Sequence, residues 1–219
     1  MVRSVCVVGA GRVGSAVAAR LRGRGVELRE DRAELWLLCV PDRAIAEVAA
    51  SIEPGPWVAH VSGATPLSAL APHERRLCVH PLQTIVRGRG SEQLDGAYAA
   101  VTAETGEALE LGFELAGLLG LEPFELADSD KPLYHAAAAF ACGYLVTLYR
   151  IAASLFEQVG APAKALVPLM ARTIENDFEL TGPAARGDWT TVEAHLRALH
   201  ERRPELEQVY RALAEATPA

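Results

Sequence analysis

The chain opens with the stretch Val5-Cys6-Val7-Val8-Gly9-Ala10-Gly11-Arg12-Val13-Gly14, close to the start of its 219 residues. The first four residues form a short β-branched run, which is typical of a buried strand. From residue 12 to residue 23, apolar side chains recur at helical spacing. The three glycines between strand and helix fit the pattern G-x-G-x-x-G. This order predicts the first strand–turn–helix unit of a nucleotide-binding α/β fold.

Each glycine of the turn has its own predicted role. The first allows the tight turn, the second lets a pyrophosphate approach the backbone, and the third lets the helix pack close to the strand. The helix N-terminus adds free N–H groups and a partial positive charge. We therefore predict that Gly9, Ala10, Gly11, Arg12, Val13 and Gly14 bind NAD or NADP. A glycine turn needed only for packing is the alternative.

The region that would bind the adenosine ribose is unusually short. An acidic residue is expected about 20 positions after the turn, and Glu30 and Asp31 stand at that distance. Arg29 and Arg32 flank them and would suit a 2′-phosphate instead, so NAD and NADP both remain open. A strong apolar strand follows directly, which leaves residues 26–34 no room for a full strand–helix–strand unit. The adenosine pocket is therefore predicted to be shortened or rebuilt.

Strand and helix signals alternate as far as Leu126, and strand signals are lacking from Leu133 onward. Alternation of this kind predicts a mostly parallel sheet with helices on both faces. The predicted fold is α/β, with a Rossmann-type mostly parallel sheet, shortened after its first βα unit, followed by an all-α C-terminal domain. We place a dinucleotide-binding Rossmann-like domain at residues 1–128 and the helical domain at residues 129–219.

Composition and charge exclude several classes of partner. The formal net charge is -7 and half the residues are hydrophobic. A chain of this charge, with no long run of Lys or Arg, is expected to bind neither nucleic acid nor an anionic membrane. The four cysteines are widely separated and form no Cys-x-x-Cys pair, so we predict no metal site and a reducing compartment.

Two further features bear on location. The sequence begins with an apolar strand rather than with the charged and apolar regions of a signal peptide. The long apolar run from His135 to Ala153 is interrupted by Gly143, Thr147 and Arg150, and it predicts a buried helix rather than a membrane span. Together with the cysteines, these features predict a cytoplasmic protein.

Five short motifs occur in order along the chain. They are Cys39-Val40-Pro41-Asp42, His60-Val61-Ser62-Gly63-Ala64, His80-Pro81-Leu82-Gln83-Thr84, Tyr134-His135-Ala136-Ala137-Ala138 and Leu180-Thr181-Gly182-Pro183-Ala184-Ala185-Arg186-Gly187-Asp188. This set resembles a family of Rossmann-like proteins whose helical C-terminal domain has no known function. That family is similar to the 6-phosphogluconate dehydrogenase-like superfamily, which includes prephenate dehydrogenase and pyrroline-5-carboxylate reductase. The resemblance covers nearly the whole chain and implies a nicotinamide cofactor and a cleft between domains.

Two of these motifs follow predicted strands of the sheet. Ligands of open α/β sheets bind at the carboxyl ends of the strands. We therefore expect Val40, Pro41 and Asp42 to bind the cofactor, together with Ser62 and Gly63. The alternatives are that Asp42 caps a helix and that Ser62 and Gly63 form a turn.

His80 is the first predicted catalytic residue. It precedes Pro81 at the predicted end of a strand, and prephenate dehydrogenase has a similar His-Pro pair. An imidazole exchanges protons near neutral pH, which suits chemistry beside a hydroxyl or carbonyl. Gln83 and Thr84 would supply polar contacts to a substrate. The alternative is a structural histidine bonded to the backbone.

Lys131 and His135 stand where the long helix begins. The resemblance implies a Lys general acid/base and a nearby His at this place, so both are predicted to be catalytic. The alternatives are a solvated Lys131 and a buried, hydrogen-bonded His135. Gly143 departs from the resemblance, which implies an Asn at that position, and this departure puts the usual chemistry in doubt.

Three functions follow from these residues. The first is an NAD(P)-dependent oxidoreductase that acts on a small polar substrate in a cleft between domains. The second is a non-catalytic dinucleotide-binding or regulatory protein with a degenerate adenosine pocket. The third is a structural dimerisation module, because the alanine-rich helix from Ala136 to Ala153 can pack against its copy. We expect a homodimer under all three.

Overall fold

A seven-stranded sheet forms the centre of the computed structural model, which describes residues 2–217. The strands are β1 (Ser4–Val8), β2 (Glu27–Leu28), β3 (Leu35–Leu38), β4 (Trp57–His60), β5 (Arg76–Leu82), β6 (Tyr98–Ala103) and β7 (Glu122–Glu125). Their order across the sheet is β2-β1-β3-β4-β5-β6-β7. All neighbours are parallel except β5 and β6, which are antiparallel. The predicted fold class is confirmed.

Helices cover both faces of this sheet. On these faces lie α1 (Arg12–Gly23), α2 (Ile45–Ala50) and α3 (Gly106–Leu119). Further along the chain are α4 (Lys131–Ala139), α5 (Leu145–Gln158), α6 (Leu166–Glu175), α7 (Trp189–Arg202) and α8 (Glu207–Ala216). Leu35 and Leu37 pack into one apolar cluster with α1 and α3, whereas Leu38 packs into a second cluster with α2. A strand buried on both faces must be apolar throughout, which explains the uninterrupted apolar runs in the sequence.

β2 is the shortest strand of the sheet. Glu27 and Leu28 pair only with Ser4 and Val5, at the beginning of β1. The chain then returns through residues 29–34 to β3, which pairs with the other side of β1. No helix separates β2 from β3 within these described residues. The shortening predicted after the first βα unit is therefore confirmed.

The chain divides into two compact units, Met1–Thr147 and Leu148–Ala219. The predicted domain boundary after residue 128 stays a prediction, since the compact units divide inside α5. The second unit has a small core of Val192, Leu196 and Ala214. In this unit α6 ends at Glu175, because the next residues turn into the left-handed region, with φ of +51° at 177 and +59° at 178.

A nearly continuous helix of 31 residues runs over Asp128–Gln158 and includes a π-helical turn at Phe140–Tyr144. None of its most apolar 18-residue window is buried, so the prediction of a buried helix is wrong. The helix was judged from its apolar composition, which does not reveal whether a neighbouring element covers it. Among the described residues, it is the one helix whose length and composition would let it cross a membrane, properties that core helices of soluble proteins also have.

Candidate functional site

Two glycines of the turn after β1 are required by the fold itself. Gly9 has a φ of +110°, which other residues rarely adopt, and a Cβ built on it would lie 2.5 Å from the carbonyl oxygen of Cys39. A Cβ built on Gly14 would lie 1.9 Å from the carbonyl oxygen of Gly9. The strand, the turn and α1 therefore come together only because both residues lack side chains.

Gly11 differs from the other two. Its φ is -74°, and a Cβ built on it would meet no described atom within 4 Å. Packing within the described chain therefore gives no reason for a glycine here. Gly11 directly precedes the first turn of α1, where N–H groups lack intrahelical partners and favour anions. The open space over Gly11 fits a phosphate that approaches the backbone closely.

Basic side chains lie beside the turn. A cavity of about 350 Å³ is lined by Gly11, Arg12 and Ser15, and by Arg87 and Arg89 from the loop after β5. Guanidinium groups pair well with phosphate oxygens, so this cavity suits an anion. Arg87 and Arg89 were not among the residues predicted to bind the cofactor. The alternation of Arg and Gly over residues 87–90 was visible, but only the fold brings that loop beside α1.

The predicted adenosine-binding residues lie away from the turn. The Cys6 thiol donates to the carbonyl oxygen of Glu30 at 3.6 Å, which places Glu30 and its neighbour beside the middle of β1. Cys6 precedes Gly9 by three residues, which is about 10 Å along a strand. Arg29 pairs with Glu27 at 2.8 Å, and Arg32 lines a cavity at the opposite, amino edge of the sheet.

The residues after β3 lie next to the glycine turn. Val40 Cγ1 is 3.3 Å from the position that a Cβ on Gly9 would occupy, and Cys39 is closer still. Pro41 precedes a single 3₁₀ turn, Asp42–Ala44, and no side chain caps that turn. Asp42 is exposed and caps no described helix, so the capping alternative is wrong. The predicted contacts of Val40, Pro41 and Asp42 with a cofactor stay predictions.

Ser62 and Gly63 form a tight turn after β4. The Ser62 hydroxyl accepts from the backbone N–H of Thr65 at 3.0 Å and donates to the Thr65 hydroxyl at 2.9 Å. The turn named as their alternative is therefore present. Gly63 is buried directly against the imidazole ring of His80. Their predicted role in cofactor binding stays a prediction.

His80 belongs to a cluster of three rings. It lies inside β5 rather than at its end, because the antiparallel pairing with β6 extends β5 to Leu82. The His80 Nδ1 atom lies 2.7 Å from the hydroxyl oxygen of Tyr134, and the two rings meet edge to face at 5.5 Å between centroids. The ring of His135 follows at 6.4 Å from that of His80. The sequence analysis quoted Tyr134 but gave it no role.

Burial controls the protonation of this cluster. The pKa of His80 is lowered to about 4, chiefly by burial and also by the neighbouring His135 and Lys131, while Asp42 acts in the opposite direction. Burial also raises the pKa of Tyr134 to about 12. Near neutral pH, the imidazole and the phenol are therefore both uncharged.

The cluster opens into a cavity of about 810 Å³. One wall is the segment from His80 to Thr84, and the other is the helix from Tyr134 to Val146, all within the first compact unit. His135 lines this cavity and is exposed, so the alternative of a buried His135 is wrong. A mostly apolar cavity with a few converging polar groups is typical of a small-molecule site.

Lys131 lies apart from this cavity. Its side chain is almost wholly buried, with the residue 1% exposed, so the alternative of a solvated lysine is wrong. The Lys131 Nζ donates to the carbonyl oxygen of Thr65 at 2.7 Å and lies 3.1 Å from Asp128. Asp128 also accepts from the backbone N–H of Leu67. These contacts fasten the start of α4 to the loop after β4, and the catalytic role predicted for Lys131 stays a prediction.

These features define a class. A mostly parallel sheet, a glycine turn after β1 and a helical C-terminal region are the Rossmann-type α/β fold of dinucleotide-binding oxidoreductases. Residues 97–217 match a domain of unknown function, DUF2520, and the chain belongs to that family. The resemblance found in the sequence is therefore confirmed. No curated protein sequence matches the chain.

Solved structures share this fold at low sequence identity. A protein from Bacteroides fragilis, provisionally assigned as an NADP oxidoreductase, has a TM-score of 0.80 at 22% identity, over 98% of this chain and 97% of its own. A protein from Thermotoga maritima has 0.73 at 20%, over 97% and 98%. A semialdehyde dehydrogenase NAD-binding protein from Cupriavidus necator, solved with calcium and NAD, has 0.64 at 18%, over 95% and 98%.

Proposed function

We propose that this chain is an NAD(P)-dependent oxidoreductase that acts on a small molecule in the His80 cavity. The observation that carries the proposal is the open space over Gly11 at the same sheet edge as a neutral His80. Val8, Leu38, His60 and Cys78 lie level across four neighbouring strands. Gly11 and His80 both come shortly after these residues in the chain, at the carboxyl edge of the sheet. A ligand bound at Gly11 would therefore lie along the same sheet edge as His80.

Different residues of the chain would contact different parts of the cofactor and substrate. Residues 9–14 would hold the pyrophosphate, with Arg12, Arg87 and Arg89 balancing its charge. The segments 40–42 and 62–63 follow the strands between β1 and β5 and would flank the nicotinamide. When bound, NAD(P) supplies hydride transfer. His80 would donate a hydrogen bond to a substrate oxygen, and His135 lines the same cavity.

One observation favours a second candidate, a non-catalytic dinucleotide-binding or regulatory protein. β2 ends at Leu28, level with Val5, so the adenosine side of the turn lacks the usual strand end. A sensor that binds the ligand without turnover would tolerate such a degenerate pocket. Turnover separates the two candidates: wild-type protein would be mixed with reduced cofactor and a panel of oxo compounds, and reduced-nicotinamide absorbance followed.

We also propose a homodimer in the cytoplasm that binds neither nucleic acid nor membrane. From Pro132 to Tyr149 the sequence contains no Asp, Glu, Lys or Arg. Leu133, Phe140 and Tyr144 on this helix are exposed. An uncharged surface supports contact between two copies that each carry a net charge of -7. The four free cysteines support a reducing compartment.

The test compares two glycines of one helix in titrations with NAD, NADH, NADP and NADPH. Wild type should bind at least one of them with a Kd below about 1 mM, which corresponds to a binding free energy of about -4 kcal/mol. Gly11→Ala should weaken that binding at least about tenfold and cost the fold at most about 1 kcal/mol, because its Cβ meets only the ligand's space and alanine is a poorer N-cap than glycine. Gly23→Ala, also free of contacts and at the other end of α1, is the matched control.

Two results would overturn the proposal. One is that none of the four dinucleotides binds below about 1 mM. The other is that Gly11→Ala binds as tightly as Gly23→Ala. A Gly14→Ala variant does not serve this purpose, because its Cβ would collide with the backbone of Gly9 and destabilise the fold.

A further inference from the structure

Tyr134 is held in place from two sides. Its ring meets that of His80 at one edge and that of Phe124, on β7, at 6.1 Å between centroids. Its hydroxyl oxygen lies 2.7 Å from the His80 Nδ1 atom. Both residues are partly buried, and they come from α4 and β5. The contact between hydroxyl and imidazole is therefore a fixed feature of the site.

The direction of this hydrogen bond follows from the chemistry of the two groups. A phenol carries one proton to donate, and an unprotonated imidazole nitrogen is a strong acceptor. The Tyr134 hydroxyl makes no hydrogen bond to any other residue of the described chain. A phenol O–H is also a stronger hydrogen-bond donor than the N–H of a neutral imidazole. Tyr134 therefore donates to Nδ1, and the single proton of the neutral ring resides on Nε2.

The Nε2–H group is free to bind a ligand. It makes no hydrogen bond to any residue between 2 and 217, and His80 lines the cavity of about 810 Å³. Gly63 packs against the ring and limits its rotation. The site therefore offers one oriented N–H donor at the wall of a cavity.

The other residues that line the cavity indicate which kind of ligand it would bind. Among the described residues that line it, none is Lys, Arg, Asp or Glu. Leu82, Leu145 and Val146 supply most of the bulky apolar surface, and the alanines of α4 supply the remainder. A carboxylate or phosphate would find no cationic partner there, whereas an uncharged group with an apolar body would be well accommodated.

We infer that Tyr134 fixes His80 as the Nε2–H tautomer, which donates a hydrogen bond to the oxygen of an uncharged carbonyl compound with an apolar body. Tyr134 is a positioning residue in this arrangement. The inference rests on the proposed function and narrows its substrate from small polar molecules to neutral aldehydes or ketones.

The tautomer is tested by ¹⁵N NMR of the imidazole groups in the full chain near neutral pH. The His80 signals are assigned by their loss in His80→Gln. Wild type should show a protonated Nε2 and an unprotonated Nδ1, and Tyr134→Phe should give a mixture of tautomers. A protonated Nδ1 in wild type would overturn the inference, as would an unchanged tautomer in a folded Tyr134→Phe. If that variant does not fold, the wild-type spectrum decides.

The ligand class is tested without cofactor, using three probes of one shape. Cyclohexanone should shift the His80 Nε2–H resonance and bind about tenfold more tightly than methylenecyclohexane, which lacks the acceptor. Cyclohexanecarboxylate should bind more weakly than the ketone. The inference fails if the hydrocarbon or the carboxylate binds as tightly as the ketone. Because dinucleotide titration is a separate measurement, this failure leaves the proposed function standing, and failure of the titration leaves the tautomer standing.

Discussion

The imidazole ring of His80 occupies the space where a side chain at residue 63 would stand. A Cβ built on Gly63 would lie 2.7 Å from the ring's Cε1 and 2.9 Å from each of its two nitrogens. The φ of Gly63 is not positive, so its backbone does not demand a glycine. The neighbouring His80 ring leaves no room for a side chain at residue 63. The turn after β4 thereby supports His80 in β5.

Gly63→Ala should push the His80 ring away from Tyr134. Inserting a methyl group into a packed site usually costs about 1–3 kcal/mol, so we expect a loss of that size in the free energy of unfolding. Urea denaturation measures the loss, and NMR of His80 measures the broken hydrogen bond. Gly143→Ala is the control, since a Cβ there meets no described atom, and a helical Gly→Ala change should stabilise by up to about 1 kcal/mol. Equal stability of wild type and Gly63→Ala would contradict the packing described here.

Lys131→Met should act on stability rather than on the His80 cavity. The variant keeps the apolar stem but leaves the Thr65 carbonyl and Asp128 without their shared donor. We expect a loss of about 2 kcal/mol, near the middle of the range for unmade buried hydrogen bonds, because Asp128 stays 37% exposed and water can reach it. Thermal denaturation measures the loss. The His80 tautomer near neutral pH should match that of wild type, and a changed tautomer would indicate that Lys131 takes part in fixing it.

The free energy of unfolding should fall in weak acid. Burial lowers the pKa of His60 to about 3 and of His80 to about 4, from 6.5. Below 6.5 the unfolded chain therefore takes up protons that the folded chain refuses. Stability is full above that pH and declines by up to about 1.4 kcal/mol per pH unit for each ring, until the folded pKa is reached. Denaturation between about pH 7.5 and about pH 4.5 measures the slope, which His80→Gln should reduce by about half. A flat profile in wild type would show that the two rings are not shielded from water.

The exposed face of the long helix should control the oligomeric state. Phe140 is 70% exposed and Tyr144 is 53% exposed, and their rings meet at 5.2 Å between centroids. In a dimer formed through this face, Phe140→Glu would bring a charge into the contact, so sedimentation should show dimeric wild type and a monomeric variant. Val209→Glu, an exposed position on α8, is the control. Monomeric wild type would refute the dimer. Wild type that sediments with lipid vesicles would refute the proposal that the protein does not bind membranes.

The sequence was sufficient for features that depend on neighbours along the chain. The strand, the turn and α1 could be predicted because Gly9, Gly11 and Gly14 act within a single local unit. The shortened β2 region was also predictable, because the spacing to the next apolar strand leaves no room for a helix. The close approach of Gly14 to Gly9 follows the same local logic, whereas the close approach of Gly9 to Cys39 depends on the pairing of β1 with β3.

Features that depend on packing could not be predicted. Tyr134 and His80 are 54 positions apart, and they meet only because the fold brings α4 beside β5. Lys131 precedes a proline at the start of an apolar helix, and nothing local indicates that its ammonium group is buried against the Thr65 carbonyl. Arg87 lies beside α1 only through the strand order of the sheet.

The brevity of β2 has a consequence for the choice of ligand. Because β2 ends level with Val5, well before the glycine turn, a bound dinucleotide would find little protein beneath its adenosine. Its affinity would come from the pyrophosphate and nicotinamide half. Reduced nicotinamide riboside 5′-diphosphate, which keeps both phosphates but lacks adenosine, should then keep most of the affinity of the full cofactor, and changes to the adenine base should matter little. Such a protein would recognise the redox end of its ligand and be nearly indifferent to the rest.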